Sequence, residues 1–128
     1  MTDKDQRLRA AARRLYEGDA AERSAIVQAI VWHVPGHNPV SGDYHGFEEY
    51  TKLMPSRMAP LTRWDFSLTH VMVNGNYVMV TLHVQGERKG MSIDMHGGHL
   101  LRMTDDGKIA EGWGFVADQE ALDAFFSA

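Results

Sequence analysis

The sequence predicts an α+β domain, with helices first and a sheet after them, on three observations. Apolar residues recur at helical spacing through the N-terminal half; from Arg63 onward the period becomes two; and the strands so marked are separated by turn-forming residues, beginning with Asn74-Gly75. The expected product is a layer of helices packed on an antiparallel sheet. At 128 residues with 44% hydrophobic content the chain is long enough to bury a core without staples, and residues 1–128 are read as a single domain.

Leu8, Ala12, Leu15 and Tyr16 give a first amphipathic helix from about Asp3 to Glu17, with Gly18 at the C-terminal cap position. Asp19 and Glu22 have capping-box spacing, and Ile26, Val27 and Ile30 supply the stripe of a second short helix. Val31 to Val34 is β-prone, and PGHNPVSGDYHG after it reads as a loop. Gly46 opens a third helix, with Phe47, Tyr50, Leu53 and Met54 on one side, disrupted at Pro55 and Pro60. Trp64, Phe66, Leu68, His70 and Met72 then alternate along a first long strand. The chain returns from Tyr77 to Gln85 with Val78, Val80, Leu82 and Val84 on one face. It reverses over Gly86 to Gly90, runs Met91 to Met103, turns at Asp105 to Gly107, and runs Lys108 to Val116. This is a sequential antiparallel sheet. Asp118 begins a C-terminal amphipathic segment whose Leu122, Phe125 and Phe126 cover one end.

Composition narrows the function. With no cysteine, thiolate nucleophiles, disulfide frameworks and thiolate zinc sites are excluded, and the cytoplasm is the default location. MTDKDQRLRAAARRLYEGD lacks the apolar run of an export signal, and no stretch is long enough to span a bilayer, so no membrane is expected. The net charge is −4, and Arg7, Arg9, Arg13 and Arg14 are interleaved with Asp3, Asp5 and Glu17 as on a solvated helix face, so no nucleic acid is expected. The HxxxH pattern of His33 and His37 contains Pro35 and Gly36 and cannot present two rings from one helical face; no metal is expected.

Three segments carry a family resemblance over nearly the whole chain: GDAAERSAIV, VWHVPGHNPVSGDYHG, and GHLLRMTDDGKIAEGWGF ending in Asp118. The sequence resembles the cone-shaped nuclear-transport-factor-2-like fold, in its SnoaL-like branch with ketosteroid-isomerase-like and polyketide-cyclase-like members. That resemblance implies a curved sheet wrapped around helices and a homodimer through the exposed sheet face. It also implies isomerase, cyclase or dehydratase chemistry without an organic cofactor, on a small apolar or ring-containing molecule. The position of the isomerases' general-base aspartate falls on His33, and that of their protonated oxyanion-hole aspartate on His99. Their oxyanion tyrosine falls on Ala11 or Ala12, and Tyr16 stands too near Gly18 to replace it. Asp118 follows Trp113 by five residues, the spacing of a catalytic aspartate in limonene-epoxide-hydrolase-like members, whose Arg-x-Asp pair corresponds to Thr81 and His83. Gly114 stands where many polyketide cyclases carry an aspartate.

His33, His99 and Asp118 are therefore the candidate catalytic residues, because histidine titrates near neutral pH and can move a proton beside a carbonyl. Trp32, His83, Gly97, Leu101, Gly112 and Gly114 are the candidate pocket residues; the small residues Ala110, Gly112 and Gly114 leave room for a ligand or a helix. Each has a plainer reading: His33 as a loop-entry histidine bonded to backbone, His99 as a satisfied core histidine, Asp118 as a helix cap. Asp94 and His96 lie on the strand face opposite His99 unless Gly97-Gly98 forms a bulge. His37, His45 and His70 read as loop or surface residues. The alternative to an enzyme is a non-catalytic ligand-binding or dimerisation module.

Overall fold

The computed structural model describes residues 2–128. Helix α1 (Asp3–Glu17) begins at Thr2, whose side chain accepts from the Asp5 amide while Asp5 accepts from the Thr2 amide. Asp19 and Glu22 make the same reciprocal pair at the start of α2 (Ala20–Ile26). Both caps occupy amide donors that the first helical turn leaves without carbonyl partners. Leu8, Ala11 and Ala12 are buried, so the alanines let α1 lie close on the sheet. Strand β1 (Val31–Val34) follows as expected.

The segment read as a loop contains a short strand, β2 (Gly42–His45), antiparallel to β1 with Trp32 opposite Tyr44. Helix α3 (Gly46–Met58) continues past Pro55 instead of ending there. A proline forfeits one amide donor and crowds the preceding turn, and here its ring is accommodated. Strand β3 (Leu61–Asn74) pairs with β4 (Tyr77–Arg88), β4 with β5 (Met91–Met103), and β5 with β6 (Ile109–Val116), all antiparallel. Helix α4 (Gln119–Ser127) closes the chain.

Three expectations need correction. The sheet is mixed: β1 runs parallel to β6, giving the order β2-β1-β6-β5-β4-β3. A pairing between strands so distant in sequence has no local turn to announce it. The alternation on β3 also does not run unbroken from Trp64 to Met72. A register shift between Leu68 and His70 inserts an extra residue, turning His70 and Met72 outward and Val71 and Val73 inward. Met72 is 48% exposed and Val71 8%. Finally, β4 runs on to Arg88, so the reversal is a two-residue loop at Lys89-Gly90, both at positive φ.

Val78, Val80, Leu82 and Val84 share the inner face of β4, as their alternation requires. Two apolar clusters form on that face. One joins α1 and α2 to the sheet through Leu8, Ala12, Ile26, Val80 and Leu101. The other joins α3 and α4 to β2 through Tyr44, Met54, Phe125 and Phe126. Arg88 is 5% exposed and donates to the carbonyls of Met58, Ala59 and Phe125 and to the main-chain oxygen of Ala128, tying the ends of α3 and α4 to the end of β4.

Candidate functional site

The interior space lies between the two clusters. A cavity of about 350 Å³ is walled by α1, α2, α3 and the inner sheet face, and a neighbouring one of about 230 Å³ lies towards α4. Trp32, Tyr50, Phe66 and His99 line both. Of these, Phe66 is 40% exposed and Tyr50 37%.

His99 is the polar centre of this space. It pairs with Val80 and Gly114 on the flanking strands, which puts its ring on the inner face. Its Nδ1 is 2.6 Å from the Tyr16 hydroxyl, and the two rings stack with centroids 5.7 Å apart. Trp32 presents its ring at 80° to the imidazole, centroids 4.6 Å apart. Among the described residues no other side chain hydrogen-bonds His99. Burial pushes the His99 pKa down to about 4 and the Tyr16 phenol up, so both are neutral near pH 7. No carboxylate lines either cavity.

Tyr16 enters the site against expectation. Its family position was read as too near Gly18, yet the last turn of α1 carries it onto the strand position of His99. The signal was present in the helical stripe itself, where Tyr16 is one turn beyond Ala12. Arg23, Tyr50 and Phe66 were likewise not singled out as cavity residues; only the pairing of distant elements brings them to one wall.

The remaining candidates are dispersed. His33 borders the second cavity, but both ring nitrogens are engaged by outer-face carboxylates, Nδ1 with Asp43 at 2.7 Å and Nε2 with Glu111 at 2.6 Å, and the ring stacks on Trp113. The Glu111 bond first, then Asp43, raises its pKa, which fits an imidazolium donating from both nitrogens. His33 and His99 thus have opposite environments on opposite faces. Asp118 is exposed and caps α4, accepting from the Ala121 amide at 3.0 Å. His83 lies on the outer face, hydrogen-bonded to Asp94 and stacked on His96.

Of the other pocket candidates, Trp32 and Gly114 line cavity walls, whereas Leu101 is fully buried core. The Gly97-Gly98 pair forms no bulge; the register runs through it unbroken, and Asp94 and His96 stay on the outer face. These glycines serve close approach. A Cβ on Gly98 would sit 2.2 Å from the Val80 carbonyl oxygen, and one on Gly97 2.6 Å from that of Phe115. Gly112 lies beneath the Trp32 ring, where a Cβ would come within 2.1 Å of it, so this glycine makes room for tryptophan, while Gly114 leaves ordinary contact distance to His99. Among the described residues no three His, Asp or Glu side chains are grouped to hold a metal ion. Among the described residues no helix is long and apolar enough to cross a membrane.

A curved six-stranded sheet with helices over one face and an interior cavity defines the class, and comparison with known proteins supplies the family. The chain belongs to the SnoaL-like domain family, whose model matches residues 8–112. A protein of unknown function with a cystatin-like fold from Xanthomonas campestris is 30% identical, with a TM-score of 0.81 over 93% of this chain and 97% of that one. Bal32a, from a soil-derived mobile gene cassette, is 20% identical, with a TM-score of 0.84 over 97% and 99%. TerC, co-crystallised with polyporic acid, is 14% identical, with a TM-score of 0.77 over 99% and 100%. No curated protein matches the sequence.

Proposed function

We propose that this protein is a cofactor-independent enzyme that binds a small, mostly apolar, ring-containing molecule and moves a proton next to its carbonyl group. The observation that carries this reading is the 2.6 Å Tyr16–His99 hydrogen bond on the wall shared by the two cavities. Two neutral arrangements of the pair exist. In one, Tyr16 donates to Nδ1, leaving Nε2–H as a donor and the phenol oxygen as an acceptor. In the other, Nδ1–H donates to the phenol oxygen, leaving the phenol O–H as a donor and Nε2 as an acceptor. Each arrangement offers the ligand one donor and one acceptor.

Passing between the arrangements moves a proton without creating an ion. Nε2 takes the proton from carbon next to the carbonyl, Nδ1 passes its own to the phenol oxygen, and the phenol gives its proton to the carbonyl oxygen. The substrate becomes an enol and the pair has exchanged tautomers; reversal at another carbon yields an isomer. An apolar interior penalises charged intermediates, so a neutral relay suits a site where burial disfavours both imidazolium and phenolate. His33 and Asp118 take no part in this scheme.

The second reading, a non-catalytic binding module, draws on the lack of any carboxylate lining the cavities. Exchange of α-hydrogens of 2-tetralone in heavy water, followed by NMR, separates the two. The relay predicts exchange accelerated by the protein and slowed about a hundredfold by His99→Asn and by Tyr16→Phe. Binding of 2-tetralone without accelerated exchange selects the module. The reading extends to a cytoplasmic homodimer through the outer sheet face, where Met72, Met79 and Phe115 are 48%, 37% and 40% exposed. A monomer in sedimentation at micromolar concentration removes the dimer.

A further inference from the structure

The larger cavity carries one ionic group. Arg23, a solvent-exposed residue of α2, lines it together with Tyr16, Tyr50, His99 and apolar side chains. Arg13, Arg63 and Arg102 are each matched with a carboxylate, whereas no salt bridge engages Arg23 among the described residues. Its positive charge acts on the Tyr50 phenol, opposing the burial that raises that group's pKa. The Tyr50 ring packs edge-on to Tyr44, 6.2 Å between centroids, which holds the phenol at the wall. The cavity is thus a mostly apolar chamber whose lining includes a single guanidinium, the Tyr50 phenol and the Tyr16–His99 pair.

From this arrangement we infer that the ligand is an amphipathic anion: a ring-containing body carrying a carboxylate or similar oxyanion that pairs with Arg23 and accepts from Tyr50. The inference deepens the small-molecule reading and rests on it. A guanidinium presents a planar fork of N–H donors that matches a carboxylate, and an anion has no like-charged residue lining the chamber to oppose it. A neutral ligand of the same shape gains the apolar contacts but not the ion pair. Arg23 is thereby a specificity-determining residue, choosing among ring compounds by charge while the Tyr16–His99 pair acts on the part of the molecule placed against it.

The test uses two probes of nearly equal shape, 2-naphthoate and 2-naphthamide, titrated into the full chain near neutral pH by calorimetry and by tryptophan fluorescence. Wild type is expected to bind 2-naphthoate at least about tenfold more tightly than 2-naphthamide. In Arg23→Gln the preference should fall to within about twofold through weaker naphthoate binding, with 2-naphthamide affinity and the melting temperature unchanged. Equal binding of both probes by wild type, or a preference that survives Arg23→Gln, overturns the anion assignment and leaves the small-molecule pocket standing. Binding of neither probe overturns the pocket reading and this inference with it.

Discussion

Tyr16 Oη and His99 Nδ1 lie 2.6 Å apart although 83 residues separate them in the chain. One comes from the last turn of a helix and the other from the middle of a strand. Their bond places a polar pair in a mostly apolar interior, where each partner satisfies the other and each keeps one position open to the cavity. Removing the phenol oxygen should therefore disturb His99 more than the fold. Tyr16→Phe is expected to cost about 1 kcal/mol, the net worth of one hydrogen bond, and to change the Nδ1 nitrogen shift of His99 in NMR. An unchanged imidazole spectrum would show that the bond does not form in solution.

The two strand histidines should titrate at opposite ends of the range. His99 is expected to protonate only near pH 4, because burial opposes its charge, while His33 should keep its proton above the ordinary histidine value. The stability consequences have opposite signs. Below the unfolded pKa the unfolded chain takes a proton at position 99 that the folded chain refuses, so His99 makes stability fall as pH drops from about 6.5 towards 4. His33 contributes stability that is complete below its unfolded pKa and is lost as pH rises through its raised folded value. Histidine ring NMR across that range checks both; coincident titrations would refute the assignment of environments.

His33→Gln and His99→Asn should separate structure from chemistry. The first removes a side chain bridging Asp43 and Glu111 on the outer face and is expected to cost about 1 kcal/mol, with 2-tetralone binding and exchange little changed. The second should abolish most of the exchange activity. If His33→Gln slowed exchange as much as His99→Asn, the proton transfer would have to be relocated to the outer face.

Arg88→Met should be the most damaging of these changes to stability. Its guanidinium serves three carbonyls and the Ala128 oxygen, and methionine would fill part of the space while removing its donors from the Met58, Ala59 and Phe125 carbonyls; the Ala128 oxygen keeps Lys89 Nζ. A loss of about 3 kcal/mol or more is expected in urea unfolding, with the slope unchanged. A loss below about 1 kcal/mol would mean water replaces the arginine at no cost.

Local signals carried most of the fold. The Gly18 end of the first helix, the Asp19-Glu22 capping box, the Asn74-Gly75 turn and the alternation of Val78 to Val84 were legible because neighbours in sequence determine them. The errors arose where distant segments meet. No nearby residue signals that β1 runs parallel to β6, or that an extra residue near Thr69 re-aims His70 and Met72. The site divided in the same way. His99 and Trp32 could be placed in the interior from strand position, and Asp118 as a cap from the residues after it. Tyr16 and Arg23 depend on how α1 and α2 sit over the sheet, which periodicity restricts to a face but not to a partner.

Trp32 lines both chambers, with Tyr50, Phe66 and His99, and its ring lies where Gly112 has no side chain. The seat of this shared wall residue is therefore a hydrogen atom. Adding one carbon at 112 would displace an indole and redraw the interior while leaving every lining side chain chemically the same. Chamber shape and wall chemistry are thus encoded at separate addresses, one beneath the wall and one upon it, and a lineage can alter the first by a single nucleotide change without disturbing the second.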